Sequence, residues 1–195
     1  MEAPPRVWSL RADWTEPLRA RPVPAALVCA AVLALLTWRV GVEPALPAFL
    51  CLGTVGTALG FVDVAIKRLP DPLTLPSYGV GAALLGAAAP FTDGGSGRFL
   101  HALIGLAALW ALFAVQWFLM PSAIGLGDVK LAGVLGLYLG WLGLDAWLLG
   151  VVATFVIGGL VAAGLLAARR TGRKSELPYG PFLLLGALLA VLVHA

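Results

Sequence analysis

Three aspartates stand where long apolar runs meet polar chain: Asp63, Asp71 and Asp128. An ionisable group beside a membrane-length apolar run carries a large desolvation cost, which makes it a functional candidate. Asp63 closes the apolar run 54–62 and precedes Val-Ala-Ile-Lys-Arg-Leu-Pro. A helix continuing to about Arg68 puts Lys67 four residues on, on the same face as Asp63. Asp128 lies in Pro121-Ser-Ala-Ile-Gly-Leu-Gly-Asp-Val-Lys-Leu. Gly125 and Gly127 permit close backbone approach or positive φ, and a helix starting there holds Asp128 in its first turn. Each residue alone has a structural reading: an ion pair with Lys67 at the lipid boundary for Asp63, and a helix cap for Asp128. As a pair they suit hydrolysis. Two carboxyls a few ångströms apart share one proton, so one polarises a water as base while the other donates to a scissile carbonyl. Helix direction favours the anion at Asp128, near a helix start, over Asp63, near a helix end. Lys67 and Lys130 act in the opposite sense, and a coupled pair titrates as a unit. The sequence has no Ser/His pair on the aspartates' side, no Cys/His cluster, no His-Glu-x-x-His and no Walker-type phosphate loop, so no metal or other cofactor is expected. No nucleic-acid partner is expected either.

The elements that must bring two such residues together are membrane spans. Of 195 residues, 61% are apolar and 12% charged, and the mean hydropathy is +0.96. Soluble domains carry about a quarter charged residues, so a soluble globule and a disordered chain are excluded. Cys29 and Cys51 each sit in an apolar run, which excludes a disulfide scaffold and makes them small apolar fillers. Long Ala/Leu/Val runs, without the alternation of a β-barrel, indicate an all-α polytopic transmembrane helix bundle. Uncharged runs of span length give seven spans at 23–42, 45–62, 72–91, 99–120, 128–144, 146–168 and 179–194, the fifth and seventh short. A cytosolic N-terminus places Arg6, Arg11, Arg19, Arg21, Lys67, Arg68, Lys130, Arg169, Arg170, Arg173 and Lys174 inside, and only Arg39 and Arg98 outside, with His101 and His194. That asymmetry is the positive-inside pattern. Two spans separate Asp63 from Asp128, so both fall at the cytosolic end. Glu43, Asp93 and Asp145 fall in short outer loops as solvated charges, and Glu176 in the basic loop before the last span. Trp38, Trp117, Trp141 and Trp147 lie near span ends as interfacial aromatics, while Trp110 is assigned to packing. Residues 1–22 form a cytosolic tail, in which Val7, Leu10, Trp14 and Leu18 fit either an interfacial helix or an unstructured end. Residues 23–195 form the membrane domain. The first span is expected to be retained, because Thr-Trp-Arg after Leu36 offers no small-residue cleavage site.

Phe61-Val-Asp-Val-Ala-Ile-Lys-Arg-Leu-Pro-Asp-Pro-Leu-Thr-Leu-Pro resembles the first active-site segment of type IV prepilin leader peptidases. Ala123-Ile-Gly-Leu-Gly-Asp-Val-Lys-Leu-Ala-Gly-Val-Leu-Gly is similar to their second, the Gly-x-Gly-Asp segment. Leu177-Pro-Tyr-Gly-Pro-Phe-Leu is similar to the Pro-x-Gly-Pro-Phe segment that opens their last span. The three cover the chain from about 45 to 195, the expected peptidase core. By this resemblance Asp63 and Asp128 match the catalytic aspartates. Gly125, Gly127, Lys130, Lys67, Pro70 and Asp71 fall in the same segments as supporting residues, with Asp71 at a structural or substrate-facing position. The resemblance implies an aspartic endopeptidase of the plasma membrane that removes the basic leader of prepilins or pseudopilins on the cytosolic side. The long form of the family carries paired zinc-binding cysteines associated with N-methylation. This sequence has no Cys-x-x-Cys, so the expectation is a short, peptidase-only form.

Two other readings use the same aspartates. A presenilin-like intramembrane protease shares Gly-x-Gly-Asp, although its first aspartate follows a tyrosine, and here Val62 precedes Asp63. A small proton-coupled transporter would use the aspartates as a relay, but related halves with matching broken helices are not evident. The identity of the prepilin and the oligomeric state are not encoded in any motif.

Overall fold

Proline punctuates the chain into helices, because the first turn of a helix has no intrahelical partner for the N–H that proline lacks. Pro17, Pro22, Pro47, Pro72 and Pro181 all stand in first turns. A computed structural model describes residues 13–120, 124–168 and 178–195, and every regular element among them is helical. A short α1 (Glu16–Ala20) leads into α2 (Pro22–Val40), α3 (Leu46–Ile66), α4 (Asp71–Ala88), α5 (Gly95–Leu119), α6 (Leu126–Leu142), α7 (Leu144–Ala167) and α8 (Gly180–His194). Helices α2 to α8 fall one to one on the seven runs read from the sequence. Val7, Leu10 and the charges Arg6, Arg11, Arg169, Arg170, Arg173, Lys174 and Glu176 lie outside the described residues.

The protein is a membrane protein. Helices α2, α3, α5 and α7 are long and apolar enough to cross a bilayer, and α8 is a shorter apolar helix. Their outward faces carry apolar side chains such as Leu27, Trp38, Ile104, Val156 and Leu160, as suits lipid. The position of α6 is different. Apart from Lys130, every residue from Asp128 to Trp141 is buried, and α4, α5, α7 and α8 all pack on it. Glycines make that central position possible. A Cβ on Gly140 would lie 2.9 Å from Ala102 Cα, and one on Gly136 would lie 2.9 Å from Leu109 Cβ. Helices α5 and α6 thus meet nearly backbone to backbone, the small-residue packing that replaces hydrophobic drive inside lipid.

Two tryptophans depart from the sequence reading. Trp141 is a core residue, only 2% exposed, because the end of α6 is enclosed; Trp110 is 48% exposed on the outer face of α5. The indole N–H of Trp147 donates to the Gly105 carbonyl at 3.1 Å, tying α7 to α5.

The two ends of the bundle are defined by contacts between helix termini. At one end the last turn of α3 meets the starts of α4, α6 and α8. At the other, Arg39 near the end of α2 donates from Nε to Leu192 O at 2.6 Å and from Nη2 to Val193 O at 2.8 Å, closing the C-terminus of α8.

Candidate active site

Asp63 lies in the last turn of α3 and is 4% exposed. Its Oδ2 accepts the Gly180 backbone N–H at 3.0 Å. Gly180 is the first residue of α8 and Pro181 follows it, so this is the leading free N–H of a helix start, where a carboxylate is stabilised by the unpaired donors and the dipole. Space is also reserved there: a Cβ on Gly180 would sit 2.7 Å from Asp63 Oδ2. Sequence reasoning gave Gly180 no role. The available signal was a Gly-Pro pair at a helix start, which marks one accessible N–H beside an absent side chain.

Asp128 is the third residue of α6 and is 9% exposed. Its Oδ2 accepts the Gly125 N–H at 3.1 Å, closing one half of a capping box. The expected first-turn position is therefore observed. Gly125 and Gly127 have negative φ; only Gly41, Gly94 and Gly143 are positive among the described glycines. What Gly127 provides is proximity, since a Cβ there would lie 3.0 Å from Leu69 Cβ.

The two carboxylates lie at the same end of the bundle. They are close enough for the Asp63 charge to act on Asp128, and the Asp128 charge reaches Tyr179, the neighbour of Gly180. The Tyr179 ring packs among Phe113, Phe155 and Phe182, walling the site with aromatics from α5, α7 and α8. One part of the sequence reading changes here. Helix direction had distinguished the two aspartates, but Asp63 sits at the end of its own helix and at the start of α8. Each carboxylate thus accepts one N–H from a helix start, and the dipole no longer separates them.

The basic residues also sort differently from the spacing argument. Helix α3 stops at Ile66, so Lys67 is its C-cap, in left-handed conformation (φ 52) and exposed. No ion pair joins it to Asp63 among the described residues. Lys130 instead reaches across to α4, with Nζ 2.6 Å from Asp71 Oδ1. Asp71 is the first residue of α4, behind Pro70 as N-cap, and is 5% exposed. Pro70 O accepts both the backbone N–H and the hydroxyl of Thr74, each at 3.1 Å. The Tyr78 hydroxyl donates to Lys130 O at 2.5 Å. Asp63, Asp71, Asp128, Pro70, Gly125, Gly127 and Lys130 therefore gather at one end of the bundle, with Lys67 on its exposed rim.

Residues 48–167 match the model of the type IV leader peptidase family. The chain belongs to that family. Relatives named prepilin leader peptidase/N-methyltransferase include that of Aeromonas salmonicida, 34% identical over 148 residues, covering 74% of this chain and 48% of the relative. That of Aeromonas hydrophila is 33% identical over 148 residues, 74% of this chain and 49% of the relative. That of Pseudomonas putida is 30% identical over 167 residues, 84% of this chain and 56% of the relative. The chain spans about half the length of the relatives it matches. No solved structure matches it. The family match takes in both aspartates and the start of α6, and it ends before α8, whose Gly180 completes the site.

Proposed function

We propose that this member of the type IV leader peptidase family is an aspartic endopeptidase that cuts the basic leader from type IV prepilins or pseudopilins at the cytosolic face of the plasma membrane. The observation that carries the reading is the convergence of Asp63 and Asp128, two buried carboxylates from helices far apart in sequence, at the start of α8. Among the described residues neither is paired with a lysine: Lys130 is committed to Asp71, and Lys67 faces outward. Two acids in one buried place are unfavourable when both are ionised, and sharing a single proton relieves the repulsion. In that state the carboxylate takes a proton from a water, which adds to the scissile carbonyl, while the carboxylic acid protonates the carbonyl oxygen. As the tetrahedral adduct collapses, the newly protonated aspartate gives its proton to the leaving amine while an adduct hydroxyl returns one to the other aspartate, and the dyad is again singly protonated. Because both aspartates receive one helix-start N–H, either can begin as the base.

The topology in this proposal has seven spans, α2 to α8, with the N-terminus in the cytosol. It is supported by eleven basic residues on the inner side against two on the outer and by the pairing of helix termini at each end. Only the peptidase half of the relatives' name is carried to this chain, because the sequence has two cysteines in separate helices and no Cys-x-x-Cys.

Co-expression with a prepilin bearing a basic leader tests the reading. Wild type is expected to shorten the substrate by its leader, with full-length substrate accumulating for Asp63→Asn and for Asp128→Asn at equal membrane abundance. Cleavage that persists in both variants discards the dyad. Intact prepilin together with protonophore-sensitive solute transport favours a proton relay through the same residues.

A further inference from the structure

The Asp71–Lys130 pair is the one ion pair among the described residues, and it lies between the two stretches of chain that carry the aspartates. Asp63 and Asp71 belong to one hairpin: α3 ends at Ile66, four residues connect, and Asp71 opens α4. Lys130 stands two residues beyond Asp128 on α6. Three contacts fasten the hairpin to the start of α6. Leu69 rests against Gly127, Asp71 holds the Lys130 ammonium, and the Tyr78 hydroxyl holds the Lys130 carbonyl. Of these, the ion pair has the strongest directional preference, since a buried carboxylate that accepts a charge-assisted hydrogen bond tolerates little displacement. The Asp71 side chain is 7% exposed and that of Lys130 is 32%, so the pair is half sunk in the protein rather than a screened surface contact.

We infer that Asp71 and Lys130 are positioning residues which hold the hairpin bearing Asp63 at a set distance from the helix start bearing Asp128. This deepens the peptidase reading and rests on it for the kinetic test, though not for the structural one. A dyad sharing a proton depends on separation more steeply than on either residue alone, and a misplacement of about 1 Å costs about 100-fold in rate. Loss of the pair is therefore expected to lower kcat and to leave KM nearly unchanged, because the pair acts through the placement of the dyad. The intact pair also keeps the Lys130 ammonium on Asp71 and away from the aspartates, where it would favour ionisation of both carboxyls and loss of the shared proton.

Two measurements on the full chain in detergent test this. In the first, Asp71→Asn, Lys130→Gln and the double variant are compared in leader cleavage. Each single is expected to lower kcat about 100-fold, with KM within about threefold and folding retained by size exclusion and circular dichroism. The double is expected to match a single rather than the product of both losses, the signature of one coupled unit. Multiplicative losses, singles within about twofold of wild type, or a loss carried by KM would each overturn the proposal. In the second, nitroxide labels on Val64→Cys and Leu126→Cys, both at exposed positions, are placed in a background with Cys29 and Cys51 replaced by alanine. The distance distribution between them is expected to broaden in Asp71→Asn and to stay broad in the double variant. An unchanged distribution overturns the clamp whether or not the protein cleaves a prepilin. A broadened one in a protein that cleaves nothing upholds the clamp and rejects the peptidase reading alone.

Discussion

Helix α8 is closed at both ends by a charged side chain from another helix, and the two closures differ in a way that separates architecture from chemistry. At the C-terminus, Arg39 gives two hydrogen bonds to the Leu192 and Val193 carbonyls; a cation there satisfies orphan acceptors and complements the dipole. At the N-terminus, Asp63 accepts one N–H from Gly180, and a second carboxylate, Asp128, has been brought into range of its charge. A cap needs one acid. A second buried acid beside it adds repulsion that a cap does not require, and this is what makes the pair a candidate for proton transfer. The same contrast separates the glycines: those along α5 and α6 admit backbone to backbone, whereas Gly180 leaves room for a carboxylate oxygen.

The sharpest way to break this comparison is to neutralise each cap in turn. Asp63→Asn keeps an acceptor for Gly180 and is expected to lose leader cleavage by about 1,000-fold or more, within the range for an acid–base group, with little change in the thermal midpoint in detergent. Arg39→Gln is expected to cleave at near wild-type rate. Equal losses would show that the α8 N-terminus is merely another structural end. Next in size is Gly180→Ala. Its Cβ would lie 2.7 Å from Asp63 Oδ2, so the carboxyl must turn away, and kcat is expected to fall about 100-fold while the unfolding midpoint moves little. Gly140→Ala is the counterpart at the far end. Its Cβ would press on Ala102 Cα at 2.9 Å, forcing α5 and α6 apart at a cost of about 1–3 kcal/mol, read as a lower thermal midpoint, with the remaining folded protein fully active. The smallest effect is expected for Arg39→Ala. Removing its bonds to the α8 carbonyls costs about 1–2 kcal/mol, measured by thermal unfolding, and leaves cleavage unaltered.

Much of the bundle was legible because its signals are local. Apolar run length, with the charges and Pro/Gly clusters that bound each run, located all seven long helices, and Asp128 was placed in a first turn from Gly-x-Gly-Asp alone. The co-location of Asp63 and Asp128 followed from counting crossings, which needs no packing detail. The errors came where side chains from distant segments compete. Spacing along one helix pointed Lys67 at Asp63, but α3 ends at Ile66 and turns Lys67 outward. Lys130 found Asp71, 59 residues away in sequence. Trp141 looked interfacial from its place at a span end, yet the surrounding helices bury it, while Trp110 in mid-helix faces outward. A hydropathy profile records that a helix is apolar and not which neighbour it meets, so the enclosure of α6 could not be read from it.

The sequence by itself determined the helices, their order, and the sharing of one end of the bundle by the two acids. These depend on apolar run length, on the charges and Pro/Gly clusters that bound each run, and on an even number of helices between Asp63 and Asp128. Only the tertiary structure decided that α8 holds Asp63, that Lys130 is drawn off to Asp71, and that both aspartates accept a helix-start N–H. Those outcomes depend on which buried donor finds which buried acceptor. In a bundle of nearly uniform apolar helices, such pairings are set by glycine-scale differences in approach that no one-dimensional pattern records.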